Sequence, residues 1–584
     1  MPLSALTEVL GTKRAAHLLR RATFGATRDQ IDSFASINPQ EAVSLLFDQA
    51  IPDPELPLDP LTGSEWVSAG SSGNGSEEDE LQEYFKRWFI GQMLGAGIPE
   101  NLKLPFAARE KITLFLHTHF TTKQSVVNNS RSLYFQNELF RRFAFDKSLA
   151  PEFNFRELTK KICVDNAMLK FLDGRLNVKD NPNENFAREL LELFTIGRGL
   201  EGTLPANNDP GDYFNFTEED VQAAARVLSG FDTDTDFITT DIQTWLPRGR
   251  ARGGTNATQH DFLPKQFSVR FNNQIIEPDP VLLVDPLVTN EQLALDEIGQ
   301  LINMIYSKEE TAKHVCRKIY RFFVYHDITL EIENTIINQM AQSFISSNYK
   351  IQPVIEELLR SRHFYEAEAG VEDNNFGGII KSPLDLILGS IIFFKVPVPD
   401  YASDTNNFYD FTGSLIKAMD DEGLNFYEPF EVAGYSAYHQ YPVYNRNWIS
   451  TNYLTRRYDF IQDFFGGMEM MGGSMTPLNL IDFISQNFSN TVASDAESLI
   501  QEIVRYLLPV SDNLTFIDPD GNAEITAERL RYFRFAFLYS PQIDDDPLAA
   551  WTFRWNNPVD NEVVNNQLRN LFNAILQSPE YQLM

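Results

Sequence analysis

The sequence predicts a mainly α protein, a large multi-helix globular domain with at most a small β element. Three observations point there. Apolar residues recur at helical spacing through most of the chain. Helix-start signals are frequent, and period-two runs are rare and short. Thr27-Arg28-Asp29-Gln30 and Ser494-Asp495-Ala496-Glu497 have capping-box form, in which two orphan backbone N–H groups are satisfied reciprocally. Thr217 precedes Glu218, Glu219 and Asp220, carboxylates placed where the helix dipole favours negative charge. Ser382-Pro383 sets a cap residue before a proline whose missing N–H is harmless in a first turn.

In chain order the periodicity predicts helices over 81–95, 106–120, 131–145, 152–171, 184–197, 217–229, 291–306, 309–325, 331–345 and 351–360. A second series covers 383–395, 410–420, 449–465, 477–487, 495–507, 526–540 and 561–577. The clearest strand signal is Gln266–Phe271, inside a stretch (236–275) that could hold the small β element. Residues 51–79 hold several prolines and then Gly70-Ser71-Ser72-Gly73-Asn74-Gly75, the composition of a flexible, exposed insertion. Stretches 198–215 and 246–290 also read as loops. A mild boundary near 366–382 divides a core (1–380) from a C-terminal helical region (381–584) packed on it. No fixed period recurs, so a solenoid is excluded.

Composition bounds the function. Hydrophobic residues make up 43% and aromatic residues 12%, with 46 Phe, ample for a core. No apolar run approaches the roughly 20 residues that span a bilayer, so membrane insertion is not expected. The net charge is −32, which opposes both nucleic acid and anionic membranes, since each needs a basic surface. Cys163 and Cys316 lie in apolar, helix-like surroundings without zinc or redox spacing and read as buried free thiols, with one disulfide between them as the alternative. Met1 to Glu8 lacks the basic and apolar regions of a secretory signal, so the sequence alone reads as cytoplasmic unless a leader has been removed.

The most informative stretch runs from Asn183 to Phe194. Phe186, Leu190, Leu193 and Phe194 form an apolar helix face, while Glu184, Arg188 and Glu192 stand at i, i+4 and i+8 beside Asn185 and Glu189. So specific a polar face suits a buried network or a ligand site. His17, Arg20 and Arg21 lie in an apolar helical stretch, where arginines usually find carboxylates, and the simplest partners are Glu189 and Glu192. Together, His17, Arg20, Arg21, Glu184, Arg188, Glu189 and Glu192 are the candidate polar cluster.

Asn183 to Gly197 resembles the signature of the bacterial "domain of unknown function 1800" family. Other segments match in the same order: His17 to Thr27, Lys111 to Phe120, Asp165 to Leu169 with Leu172-Asp173, Phe216 to Val221, Ala225 to Gly230, and the tail Gln577 to Gln582. The resemblance spans nearly the whole chain. It implies no activity, because the family has none assigned. It does imply frequent export and a protein partner of the "domain of unknown function 1501" family, whose members resemble sulfatases.

His117 and His119 flank one residue, pointing about 200° apart on a helix but able to converge where a helix ends. His260-Asp261, a pair the family resemblance also marks, lies in a loop. His117, His119, His260 and Asp261 with one glutamate would make a chemically sensible site for a divalent metal ion. The competing reading is histidines bonded to carboxylates inside a helical core. Asp232-Thr233-Asp234-Thr235-Asp236 starts like a calcium loop, but Phe237 and Gln243 stand where an EF-hand needs Gly and Glu. Asp518-Pro519-Asp520-Gly521-Asn522 reads as a turn. No phosphate-binding glycine loop and no Gly-x-Ser-x-Gly elbow occurs.

The stretch 426–448 is rich in aromatics, among them Tyr435, Tyr438 and Trp448, which suit sugar stacking or an interface as well as packing the loop down. Family members carry a tryptophan where Tyr435 stands. Two functions follow. The first is a binding or assembly protein of the bacterial cell envelope acting with a partner, favoured by the aromatic loop and the lack of a catalytic signature. The alternative is a metal-dependent hydrolase or oxidoreductase built on the histidine and carboxylate cluster.

Overall fold

A computed structural model describes every residue except 1–2, 69, 71–73, 206–208, 366–377, 475–476, 510–512, 519–523, 541–543 and 558–560. The expected boundary near 366–382 and the expected turn at 518–522 therefore fall largely outside the described residues.

The chain is mainly helical, 57% helix against 4% strand. Every helical segment expected from periodicity contains helix. Helices Gly11–Ala22, Arg28–Ala35, Pro39–Phe47 and Pro547–Asn556 come in addition. Both halves of the Thr27 capping box form: Gln30 N donates to Thr27 Oγ1 (3.3 Å) and Thr27 N to Gln30 Oε1 (2.9 Å). The second expected box shifts by one residue: Asp495 is the cap and accepts from Ser498 N at 2.8 Å. The stretch 152–171 divides into Phe155–Ile162 and Asn166–Phe171, because Asp165 caps a new helix through Met168 N (2.8 Å).

Among the described residues, strand structure is limited to three two-residue antiparallel pairs and isolated bridges. Phe231–Asp232 pairs with Arg250–Ala251, Lys265–Gln266 with Ile275–Ile276, and Glu469–Met470 with Gly473–Ser474. Of the expected strand Gln266–Phe271, only its first residue is strand; Val269–Phe271 winds into a 3-10 turn. Among the described residues no helix is long and apolar enough to cross a membrane.

One continuous apolar core runs through the molecule. Its axis is the helix Lys103–His119, buried along most of its length. A helix buried on all sides must neutralise its own charges. Glu110 takes Arg109 (3.2 Å) and Arg141 (2.8 Å), and Lys111 pairs with Asp385 (2.6 Å) at the start of the helix Pro383–Phe393. The tail returns into this centre: Ile380 bridges Leu583, and Arg21 bonds the Met584 carbonyl.

Most described residues of 51–79 are exposed or half-buried, and a few anchor the segment to the body. Trp66 and Val67 are buried, Trp88 Nε1 donates to Glu55 O (2.9 Å), and Asp59 accepts from the backbone N–H and hydroxyl of Ser76. Proline-rich composition lowers helix content but leaves side chains able to dock.

Candidate functional site

The signature stretch begins as an α-helix, Asn185–Glu189, and continues as a π-helix, Leu190–Phe194. Such widened turns are often found at functional positions. Thr195 Oγ1 donates to Leu190 O (2.6 Å), and Gly197 N reaches back to Leu191 O (2.9 Å). The carbonyls of Leu193 and Phe194 are left for side chains. His314 Nε2–H (3.0 Å) and Lys318 Nζ (2.7 Å) both donate to Leu193 O, and His119 Nε2–H donates to Phe194 O (2.9 Å). Cationic or donor side chains at a helix C-terminus satisfy orphan carbonyls. Burial holds the His119 imidazole well below its usual range, brings His314 down to about 3 and brings the Lys318 ammonium down to about 7.

The helix's polar face organises differently from the sequence pattern. Arg188 forks onto Glu218 (2.6 and 2.9 Å) and touches Glu184 (3.3 Å) and the Tyr213 hydroxyl (2.9 Å). The Arg188 hydrogen bonds hold the Glu218 carboxyl down to about 2. Burial, then the Glu218 carboxylate, pushes Glu184 up. The π-turn slips the register, so Glu192 leaves the Arg188 stripe and pairs with Arg198 (2.7 Å). Glu189 is half-buried, and burial with Glu192 beside it pushes its carboxyl up to about 7.

His17, Arg20 and Arg21 do not join this cluster, which corrects the expected pairing with Glu189 and Glu192. His17 Nε2 donates to Phe364 O (3.1 Å) with its ring against Phe364. Arg20 bonds Tyr506 O; Arg21 bonds Val324 O (3.1 Å), Phe323 O (3.4 Å) and Met584 O. Val324 caps the helix Glu309–Phe323, so Arg21 serves backbone oxygens there rather than Glu189 or Glu192.

The four metal candidates also separate. His117 stacks on Tyr427 (centroids 3.9 Å apart, 20° between planes), with Tyr435 Oη 3.5 Å from its Nε2, and burial brings it down to about 3. His119 faces Phe194 instead. His260 bonds Ser229 O through Nδ1 (2.8 Å) and Glu297 through Nε2 (3.2 Å), and Lys265 also bonds Glu297. Asp261 takes Arg226 (2.7 Å). Among the described residues no group of three or more His, Cys, Asp or Glu converges as metal ligands. The expected four-residue metal site is corrected accordingly; two histidines separated by one residue on a regular helix diverge. Glu297, a carboxylate within the apolar pattern of the helix Asn290–Tyr306, is the partner that sequence reasoning missed. The acidic run at 232–236 is already partnered: Asp234 accepts from the backbone of Ile238 and Thr239 (3.0 and 2.7 Å), and Asp232 pairs with Arg252 (2.9 Å).

His119, Lys318, Arg321, Tyr438 and His439 bound a cavity of about 20 Å³. That volume suits a single water, which needs roughly 10–15 Å³, and not a substrate. Tyr435 and Trp448 are buried and Tyr438 is partly buried, with the Tyr435 hydroxyl accepting from Tyr427 N (2.8 Å). These three pack the aromatic loop down; Phe430, 90% exposed, and Tyr441 are rings it turns outward.

The larger apolar exposure lies elsewhere. Leu263, Val269 and Ile275 are exposed on the ribbon around 265–276. Beyond it Val281 (74%), Leu283 (60%), Val284 (79%) and Leu287 (86%) stand in solvent, and the short helix Pro280–Leu283 buries no residue.

The family described as "Protein of unknown function (DUF1800)" matches residues 17–583, and the chain belongs to it. No curated protein and no solved structure matches.

Proposed function

We propose that this family member is a binding and assembly protein that docks a second protein through the exposed apolar segment 281–287. One observation carries the reading: four large aliphatic side chains, Val281, Leu283, Val284 and Leu287, are each at least 60% exposed within seven residues. Concentrated apolar exposure marks interaction surfaces, whereas single exposed apolar residues do not. The surrounding charge selects the partner. Glu277, Asp279, Asp285 and Glu291 flank the segment, and no Lys or Arg occurs between Arg270 and Lys308. An anionic lipid surface would be repelled, while a protein groove with apolar walls and a basic rim is complementary. The absence of a converging ligand set among the described histidines and carboxylates favours this reading over the metal-dependent enzyme. The family resemblance adds a cell-envelope setting and names the partner to try first, a "domain of unknown function 1501" protein.

The test co-expresses the two proteins and measures complex mass by size-exclusion chromatography with light scattering. The wild-type chain forms an equimolar complex. A variant with Val281→Gln, Leu283→Gln, Val284→Gln and Leu287→Gln does not, while its melting temperature is unchanged, since exposed substitutions each cost only about 0.5 kcal/mol or less. A complex of equal strength from the variant, or none from the wild type, overturns the proposal.

A further inference from the structure

We infer that the cleft between the helices Glu78–Met93 and Thr405–Asp421 binds a polyhydroxylated carboxylate, an acidic mono- or disaccharide. The cleft measures about 550 Å³, within the roughly 300–1,000 Å³ range of small-ligand sites. In a chain of net charge −32 it gathers four cations, Lys86, Arg87, Lys123 and Lys417. Two of them are already engaged: Lys86 pairs with Glu83 (2.8 Å), and Lys123 stands 3.6 Å from Glu428, which also accepts from the Ser125 hydroxyl (2.9 Å).

Arg87 and Lys417 are different. Neither is in an ion pair among the described residues; Arg87 lies 5.6 Å from the Tyr84 ring and acts on Glu83 only at longer range. Arg87 packs against Gly413, where an added Cβ would lie 2.9 Å from its Nε. The guanidinium therefore lies across Gly413, and Lys417 stands one helical turn further along the same face. A half-buried guanidinium and an exposed ammonium on the wall of one cleft, neither in an ion pair among the described residues, match a ligand carboxylate.

The remaining walls specify the rest of the ligand. Asp420 is exposed on the same helix and has no ion-pair partner among the described residues, so it can accept from ligand hydroxyls. Phe430 offers a ring face, and the Met471 side chain is half-exposed beside it. An apolar ring face suits the C–H face of a pyranose. Simple phosphate would use the cations but neither the carboxylate nor the ring. The groove of about 910 Å³ around Ile391 and Val398 makes the contrast: its rim lysines are both consumed, Lys395 by Asp29 (2.8 Å) and Lys103 by Glu100 (2.8 Å).

Isothermal titration of the full chain with digalacturonate, with a neutral disaccharide and with inorganic phosphate tests the assignment. Digalacturonate binds saturably, and the other two bind at least about tenfold more weakly. Arg87→Gln, Lys417→Gln and Phe430→Ala each weaken digalacturonate binding by about tenfold, while circular dichroism melting stays within the wild-type range. No saturable binding of digalacturonate, equal binding of the neutral sugar or of phosphate, or insensitivity to all three substitutions overturns the inference.

Discussion

Glu422 sets a measurable pH dependence from one side chain. It is 1% exposed, neither carboxyl oxygen accepts a hydrogen bond, and its nearest cation, Arg457, stands 3.7 Å away. Arg457 is itself committed to Gln582 Oε1 (2.7 Å) and Lys381 O (3.0 Å). Burial wins, and the Glu422 carboxyl is pushed up to about 8. The folded state then holds a proton that the unfolded chain has released above its ordinary value near 4.5. Stability must fall as pH rises between those two values and level off above about 8. Glu422→Gln removes that proton exchange, so its melting temperature falls less steeply than the wild type's across the window. The variant should be the more stable above pH 8, by an amount of order 2–4 kcal/mol. Parallel melting curves for the two proteins from pH 5 to 9 would refute the assignment. At this scale the sequence was only half legible. That Arg20 and Arg21 need acceptors inside an apolar helix follows from residue type; that the acceptors are the carbonyls of Tyr506, Val324 and Met584 does not, because a backbone oxygen at a chain turn carries no sequence mark.

Among elements, the helix 185–194 shows where periodicity stops informing. Its apolar face was readable and is buried: Phe186, Leu190 and Phe194. Its π-turn was not, since the same spacing fits an α-helix, and the misplacement of Glu192 follows directly from that turn. The segment 281–287 was readable as a loop within 246–290, but exposure of its aliphatic residues depends on neighbours that a sequence does not supply. The π-helix depends on its end being closed by Gly197 and His314. Gly197 sits at φ +62°, and an added Cβ would come 2.3 Å from His314 Nδ1. Gly197→Ala must therefore adopt a left-handed backbone and displace the ring that bonds Leu193 O. We expect a loss of about 2–4 kcal/mol, summing the backbone penalty and a weakened carbonyl cap. Urea unfolding with an unchanged m-value checks it. His314→Ala in the Gly197→Ala background should cost little more, because the two changes break the same closure; additive losses would contradict the coupling.

For the whole molecule, charge acts with opposite sign on folding and on association. Net charge of −32 spread over a compact body repels itself, while the unfolded chain relaxes that repulsion by expanding. Raising ionic strength from about 0.01 to 0.15 M shortens the screening length from roughly 30 to 8 Å, shorter than most distances across the fold. The melting temperature should therefore rise with sodium chloride over that range, most steeply at the low end, and sulfate adds a further stabilising contribution through its exclusion from the surface. Docking onto a basic-rimmed partner runs the other way. The uninterrupted absence of cations between Arg270 and Lys308 makes the approach of a basic groove favourable at long range, so the association rate should fall as salt rises while the dissociation rate changes little. Biolayer interferometry across the same salt series separates the two rates. If association is salt-independent, attraction between opposite charges does not guide the encounter, and the apolar side chains at 281–287 would have to account for partner choice alone.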